Sequence, residues 1–160
     1  MQPAALEFRN VTKVYGAADG RRRAALAGIS LAVAPGRVVA IVGRSGSGKS
    51  TLLHLAAGID SPSSGEVLVD GRDLAQLADR DRARLRRGTI GLVFQFFHLL
   101  PHLSVRDNVA LPAFIAGMSE AVFAPRVAEL LAKVGLADRA ADPVQKLSGG
   151  EMQRIAICRA

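Results

Sequence analysis

The sequence predicts an α/β chain whose first half is mostly strands and whose second half is mostly helices. Three observations predict it. An apolar run at residues 38–42 leads into the glycine-rich stretch Gly43-Arg44-Ser45-Gly46-Ser47-Gly48-Lys49-Ser50-Thr51, and Leu52, Leu53, Leu55 and Ala56 follow at helical spacing. Before and after that unit, short apolar segments are punctuated by the turn pairs Pro35-Gly36 and Asp70-Gly71. Beyond Gln95 the period changes to that of a helix, as in Val127, Leu130, Leu131 and Val134.

In order, Leu6, Phe8 and Val11 mark a first strand, and residues 17–23 read as an exposed turn. Residues 26–33 and 37–42 are expected as two further strands. A helix starts at about Gly48 and ends near Gly58, and a loop over 59–65 leads to a strand at 66–69 closed by Asp70-Gly71. Leu74, Leu77 and the charged run to Arg87 suggest a short exposed helix, and residues 89–94 a strand. Ser104 and Asp107 have capping-box spacing and open a helix to about Ile115. A second helix is expected from Glu120 to Val134 with Gly135 as its stop, and a third after Leu147-Ser148-Gly149-Gly150-Glu151 with Met152, Ile155 and Ala156 on one side.

The totals exclude several classes. At 160 residues and 49% hydrophobic content the chain is expected to be one globular domain with a real core. Its apolar runs are far too short to span a bilayer, and its N-terminus lacks the pattern of a signal peptide. A single cysteine, Cys158, forms no internal disulfide and fits a reducing compartment, so a soluble, cytoplasmic chain is expected. The net charge of +7 rests on arginines at 21–23 and 80–87 without interleaved aromatic residues. That favours solvated faces over a nucleic-acid partner.

The glycine stretch matches G-x-x-x-x-G-K-[ST], the phosphate-binding loop, at Gly43, Gly48, Lys49 and Ser50. Glycines let successive backbone N–H groups converge on phosphate oxygens, and the following helix points its positive end at the same anion. Lys49 adds a mobile charge for the outer phosphates, and the Ser50 hydroxyl can ligate Mg²⁺. The nucleotide-binding set is therefore Gly43, Ser45, Gly46, Ser47, Gly48, Lys49, Ser50 and Thr51. Ser148 and Glu151 have capping-box spacing too, which leaves Gly149 and Gly150 bare at a second helix start fit for an anion.

Leu147-Ser148-Gly149-Gly150-Glu151-Met152-Gln153-Arg154 resembles the signature motif of ATP-binding-cassette (ABC) ATPases, at a suitable distance from the phosphate loop. The resemblance implies a P-loop NTPase (RecA-like) core, an N-terminal antiparallel β subdomain and an inserted helical signature subdomain. These are divided as 1–95, 96–147 and 148–160, with the C-terminal part of the core missing. It implies ATP and Mg²⁺ as cofactors, with Ser148, Gly149, Gly150 and Glu151 serving the γ-phosphate held by a partner subunit in a head-to-tail homodimer. Tyr15 takes the place of the adenine-stacking aromatic. Gln95 takes that of the glutamine that ligates Mg²⁺ and orients the attacking water, which with Lys49 makes the catalytic pair. The apolar stretch 96–103 is divided evenly between core packing and a groove for a membrane-spanning partner. His98 and His102 have no metal-site spacing, His54 reads as a packed or surface histidine rather than a catalytic one, and Asp70 as a turn residue rather than a metal ligand.

Within the family the chain looks most like the branch serving lipoprotein release and macrolide or peptide export. That implies a separate transmembrane permease and a cytoplasmic position against the inner face of the plasma membrane. A cell-division role, in which the ATPase signals through a membrane partner, and a nucleotide-binding fragment without hydrolysis are the alternatives. Soluble repair ATPases carry a long coiled coil before the signature, and residues 96–146 show no sustained heptads. The family's Mg²⁺-binding aspartate, catalytic glutamate and switch histidine follow the signature and have no counterpart here. These 160 residues alone are accordingly expected not to turn over ATP.

Overall fold

The computed structural model describes residues 3–16 and 22–160, so the turn expected at 17–23 falls mostly outside the described residues. The chain divides into two compact units, Met1–Gly88 and Thr89–Ala160.

The first unit is built on a four-stranded antiparallel sheet in the order β2-β1-β3-β4. Its strands are β1 (Leu6–Gly16), β2 (Arg22–Val33), β3 (Ser64–Val69) and β4 (Arg72–Asp73). Phe8, Val11, Leu26, Val67 and Val69 are buried, and helix α1 (Lys49–Ala56) lies against β2 and β3 with Leu52 and Leu55 inside. Each such side chain contributes about 1.5–3 kcal/mol by leaving water. The turn between β3 and β4 sets both Asp70 (φ 47°) and Gly71 (φ 74°) in the left-handed region, as an Asp-Gly hairpin turn requires. Asp70 is thus the turn residue the sequence suggests.

Helix α2 (Asp79–Gly88) buries nothing. Its acids lie in the first turn and Arg86 and Arg87 in the last, each sign at the favourable end of the helix dipole. Arg82 pairs with Asp79 at 2.6 Å and Arg84 with Asp81 at 3.6 Å. Arg82 and Arg86 also reach the loop after α1, donating to Ser61 Oγ at 3.2 Å and to the Gly58 carbonyl at 2.8 Å, while Arg80, Arg84 and Arg87 form an exposed face.

Two expected strands do not form. Residues 37–42 and 89–94 are irregular, and no described strand hydrogen-bonds to either. An apolar run becomes a strand only where neighbouring backbones satisfy its N–H and C=O groups. Without such neighbours Val38 is 99% exposed and Val42 88% exposed. Their composition reads as buried parallel strand, and pairing is what composition cannot supply.

The second unit packs helices α3 (Val105–Ile115), α4 (Glu120–Lys133) and α5 (Gly149–Arg159) around Val105, Val109, Phe123, Val127, Leu131 and Ile155. Gly135 (φ 69°) follows α4 as its stop. Cys158 is half-buried against this cluster, and burial pushes its thiol up, in keeping with a small core residue. Among the described residues no helix is long and apolar enough to cross a membrane.

Candidate functional site

Three helices begin in three different ways, and the differences bear on function. At α3 the Ser104 hydroxyl accepts from the Asp107 N–H at 3.1 Å and donates to the Asp107 carboxylate at 2.6 Å. The expected reciprocal bond from the carboxylate to the Ser104 backbone is replaced by that hydroxyl contact. The neighbouring amides of Val105 and Arg106 instead donate to the carbonyls of Asp142 and Ala140, both at 2.9 Å.

At α5 the capping box is complete. The Glu151 carboxylate accepts from the Ser148 N–H at 2.7 Å and from its hydroxyl at 2.6 Å, while the Glu151 N–H donates to Ser148 Oγ at 3.4 Å. Gly149 and Gly150 are exposed, and a Cβ at Gly149 would meet nothing within 4 Å. The Ser148 hydroxyl, and after it the Ser148 N–H, holds the Glu151 carboxyl below the usual range. A carboxyl lowered by folding adds stability that is complete above its unfolded pKa, about 4.3, and is lost as pH falls through the lower folded value. Protection of the amides at the start of α5, measured against the exchange rate of an unstructured chain at the same pH, should therefore fall in acid below about pH 4. In Glu151→Gln that acid-dependent step should disappear, which exchange followed by NMR across pH 2–6 can check.

Helix α1 has no side-chain cap. Its N-cap is Gly48, at φ 90° and ψ 3°. A Cβ on Gly48 would lie 2.4 Å from the Ala25 carbonyl oxygen and 2.9 Å from Leu26 Cδ2, so both backbone and space require glycine there. Gly46 is also left-handed, at φ 79°. Gly43, Ser45, Gly46, Ser47 and Ser50 are exposed, and Thr51 is half-buried. Lys49 turns back across the loop and donates to the carbonyls of Gly43 at 2.9 Å and Arg44 at 2.8 Å. The loop thus holds an ammonium over an uncapped, glycine-lined helix start, and these features fit a triphosphate. Among the described residues no group of three or more His, Cys, Asp or Glu could hold a metal by itself.

Tyr15 ends β1 half in solvent, its hydroxyl donating to Asp60 at 2.8 Å. At 41% exposure it is not a core residue. Gln95 is exposed in an irregular segment instead of ending a strand. Just beyond it, Phe97 (φ 59°) and His98 (φ 47°) are both left-handed, costing about 1–2 kcal/mol each. The Arg159 guanidinium donates to both of their carbonyls at 2.6 Å. In the stretch 96–103, Phe96 is exposed and Leu99 packs on the helical core.

Four organising residues escape sequence reading. Asp60 and Arg159 act across 45 and 61 positions. Arg139 binds Asp142 and reaches Glu151 at 3.4 Å. Asn108, fully buried, holds the turn before α3. An amide placed among Val105, Val109 and Ala110 is the one signal available, since a buried amide must find partners.

Comparison with known proteins places this geometry. The family model described as "ABC transporter" matches residues 26–160. This chain belongs to the ABC transporter ATP-binding family. The cassette is 46% identical over 155 residues to the lipoprotein-releasing system ATP-binding protein LolD of Roseobacter denitrificans, covering 97% of the chain and 68% of that protein. It is 44% identical over its whole length to 24% of the pyoverdine export ATP-binding/permease protein PvdT of Pseudomonas fluorescens. Its fold matches the ATP-binding cassette MJ0796, solved as a dimer in a post-hydrolysis state bound to ADP and Pi. The TM-score is 0.89 at 37% identity, over 96% of this chain and 68% of that one. The cassette fold expected from the two motifs is therefore present, with its antiparallel sheet and helical unit.

Proposed function

We propose that the cassette binds Mg-ATP and works as the ATP-binding subunit of an exporter or lipoprotein-extraction system with a separate membrane permease. One observation carries the reading. Of the four glycine- or serine-led α-helix starts, α1 and α4 lack a side-chain cap, and only α1 has glycine at the cap position and Lys49 beside it. Amides left without an internal partner are suited to an anionic ligand.

In this reading the amides of the loop from Gly43 to Thr51 bind the phosphates, and Lys49 contacts the outer ones. A Mg²⁺ ion would be held by the Ser50 hydroxyl and the Gln95 amide together with phosphate oxygens, the usual sharing for this ion. Bound there, it neutralises charge on the phosphates. Tyr15 stacks on adenine. Ser148, Gly149, Gly150 and Glu151 form the second phosphate-binding end, used across a head-to-tail dimer. The name of LolD, an ATP-binding protein of a lipoprotein-releasing system, and the dimeric state of MJ0796 support this arrangement by analogy, while the name of PvdT, which joins ATP-binding and permease parts, supports export alone. The functional division 1–95, 96–147 and 148–160 belongs to the same proposal, as does a position on the cytoplasmic face beside the permease. The 160 residues by themselves are proposed to bind ATP without steady turnover.

Sedimentation velocity of the full chain tests the two-ended site. Mg-ATP should convert monomer to dimer, and Gly149→Glu, which puts a carboxylate where the partner's γ-phosphate would sit, should leave it monomeric. Nucleotide binding should meanwhile fall less than twofold. A dimer undiminished by Gly149→Glu would overturn the proposed role of the second helix start.

A further inference from the structure

Residues of β1 and of the loop after α1 close into a small polar cluster that no motif accounts for. Lys13 and Tyr15 stand two apart on β1 and so share a face of the strand. The Lys13 ammonium lies 4.9 Å from the centroid of the Tyr15 ring, within cation–π range. The same ammonium donates to Asp60 Oδ1 at 2.6 Å and to the Ser61 carbonyl at 2.8 Å. The Tyr15 hydroxyl donates to the other carboxylate oxygen, Asp60 Oδ2, at 2.8 Å. Asp60 is itself fixed, accepting from the Ser61 N–H at 2.7 Å and donating its own N–H to the His54 carbonyl at 3.4 Å.

We propose that Asp60 and Lys13 are positioning residues that lock the Tyr15 ring as a stacking platform for the purine of the bound nucleotide. The inference rests on the reading that the phosphate loop holds a nucleoside triphosphate. Its physical basis is preorganisation. A tyrosine half in solvent would lose rotational freedom on stacking, and that loss opposes binding. Here hydroxyl and ring are held by two residues before any ligand arrives. Lys13 is only 12% exposed, so its charge is committed to Asp60, Ser61 and the ring instead of to solvent. A cation on one side of the ring takes up that side and leaves the opposite side for a base. The His54 carbonyl that anchors Asp60 belongs to α1, whose other end starts at the phosphate loop. One helix thereby spaces the base platform from the phosphate cradle.

The test exploits composition. Tyr15 is the only tyrosine and there is no tryptophan, so the tyrosine emission of the chain reports on this ring alone. ATP should quench that emission, and tripolyphosphate, which has no base, should bind without quenching it. In Asp60→Ala, ATP should bind about 3- to 10-fold more weakly by calorimetry, with quenching reduced and tripolyphosphate affinity unchanged. Tyr15→Phe keeps the Asp60–Lys13 pair and the ring but removes the hydroxyl, and should show the same selective loss. Equal loss for ATP and tripolyphosphate would mean that Asp60 only supports the fold. Unchanged ATP binding in Tyr15→Phe would overturn the lock. Failure of the unaltered chain to bind either ligand would instead refute the phosphate-loop reading, and the platform with it.

Discussion

Lys49→Ala is expected to weaken Mg-ATP binding about 100-fold, or about 2.7 kcal/mol. Its ammonium rests on the carbonyls of Gly43 and Arg44, 2.9 and 2.8 Å away, in a half-exposed position. A carbonyl carries a partial charge and a phosphate oxygen a full one. Exchange of the first for the second is therefore favourable, and charge-assisted bonds are worth about 1.5–3 kcal/mol each. The fold should hardly notice the change. The carbonyls left behind can bond water, so the thermal midpoint should move by less than about 2 °C. Calorimetry and circular dichroism on one preparation separate the two effects. Lys49→Arg is no rescue, because a planar fork cannot replace a compact ammonium at the mouth of a tight loop. ATP binding within threefold of the unaltered chain would refute the assignment of Lys49. Steady phosphate release by these 160 residues alone, lost in Lys49→Ala, would overturn the proposal that they bind without turnover.

What could be read in advance is whatever a short stretch decides by itself. The start of α1 follows from Gly48 and Lys49, the α5 box from Ser148 and Glu151, and the β3–β4 turn from Asp70 and Gly71, all within four residues of sequence. The strands expected at 37–42 and 89–94 failed because a strand is a relation between segments, and apolar composition describes only one of them. The same limit hid Asp60, Arg139, Asn108 and Arg159. Asp60 meets Tyr15 only once β1 and the end of α1 have been brought together, and nothing local to Asp60 announces it. Arg159 sits in a helical pattern that suggests an ordinary basic last turn, yet its guanidinium is spent on two strained carbonyls.

Asn108→Ala should be the most damaging change at a polar position of the helical unit, Asn108 being the buried polar residue among those described. Asn108 is fully buried, and its amide binds both backbone groups of Leu100, accepting from the N–H at 2.7 Å and donating to the carbonyl at 3.0 Å. The same nitrogen also donates to the carbonyls of Ser104 at 3.0 Å and Leu103 at 3.3 Å. One side chain thus ties together the turn that feeds α3. Truncation takes the partner from the Leu100 N–H and the Leu103 carbonyl, while the Leu100 and Ser104 carbonyls keep the N–H groups of Leu103 and Asn108, and an unsatisfied buried group costs about 1–3 kcal/mol. The total should reach about 3 kcal/mol, a fall in thermal midpoint of roughly 6–12 °C for a chain of this size. Asn108→Leu fills the space and restores no bond, so it should be as destabilising, which separates lost hydrogen bonds from a cavity. Hydrogen exchange at the Leu100 amide should rise to the rate of an open loop in both variants. A midpoint shift below about 2 °C would show that water replaces the amide there. The turn would then owe its shape to Leu99 on the core and not to Asn108.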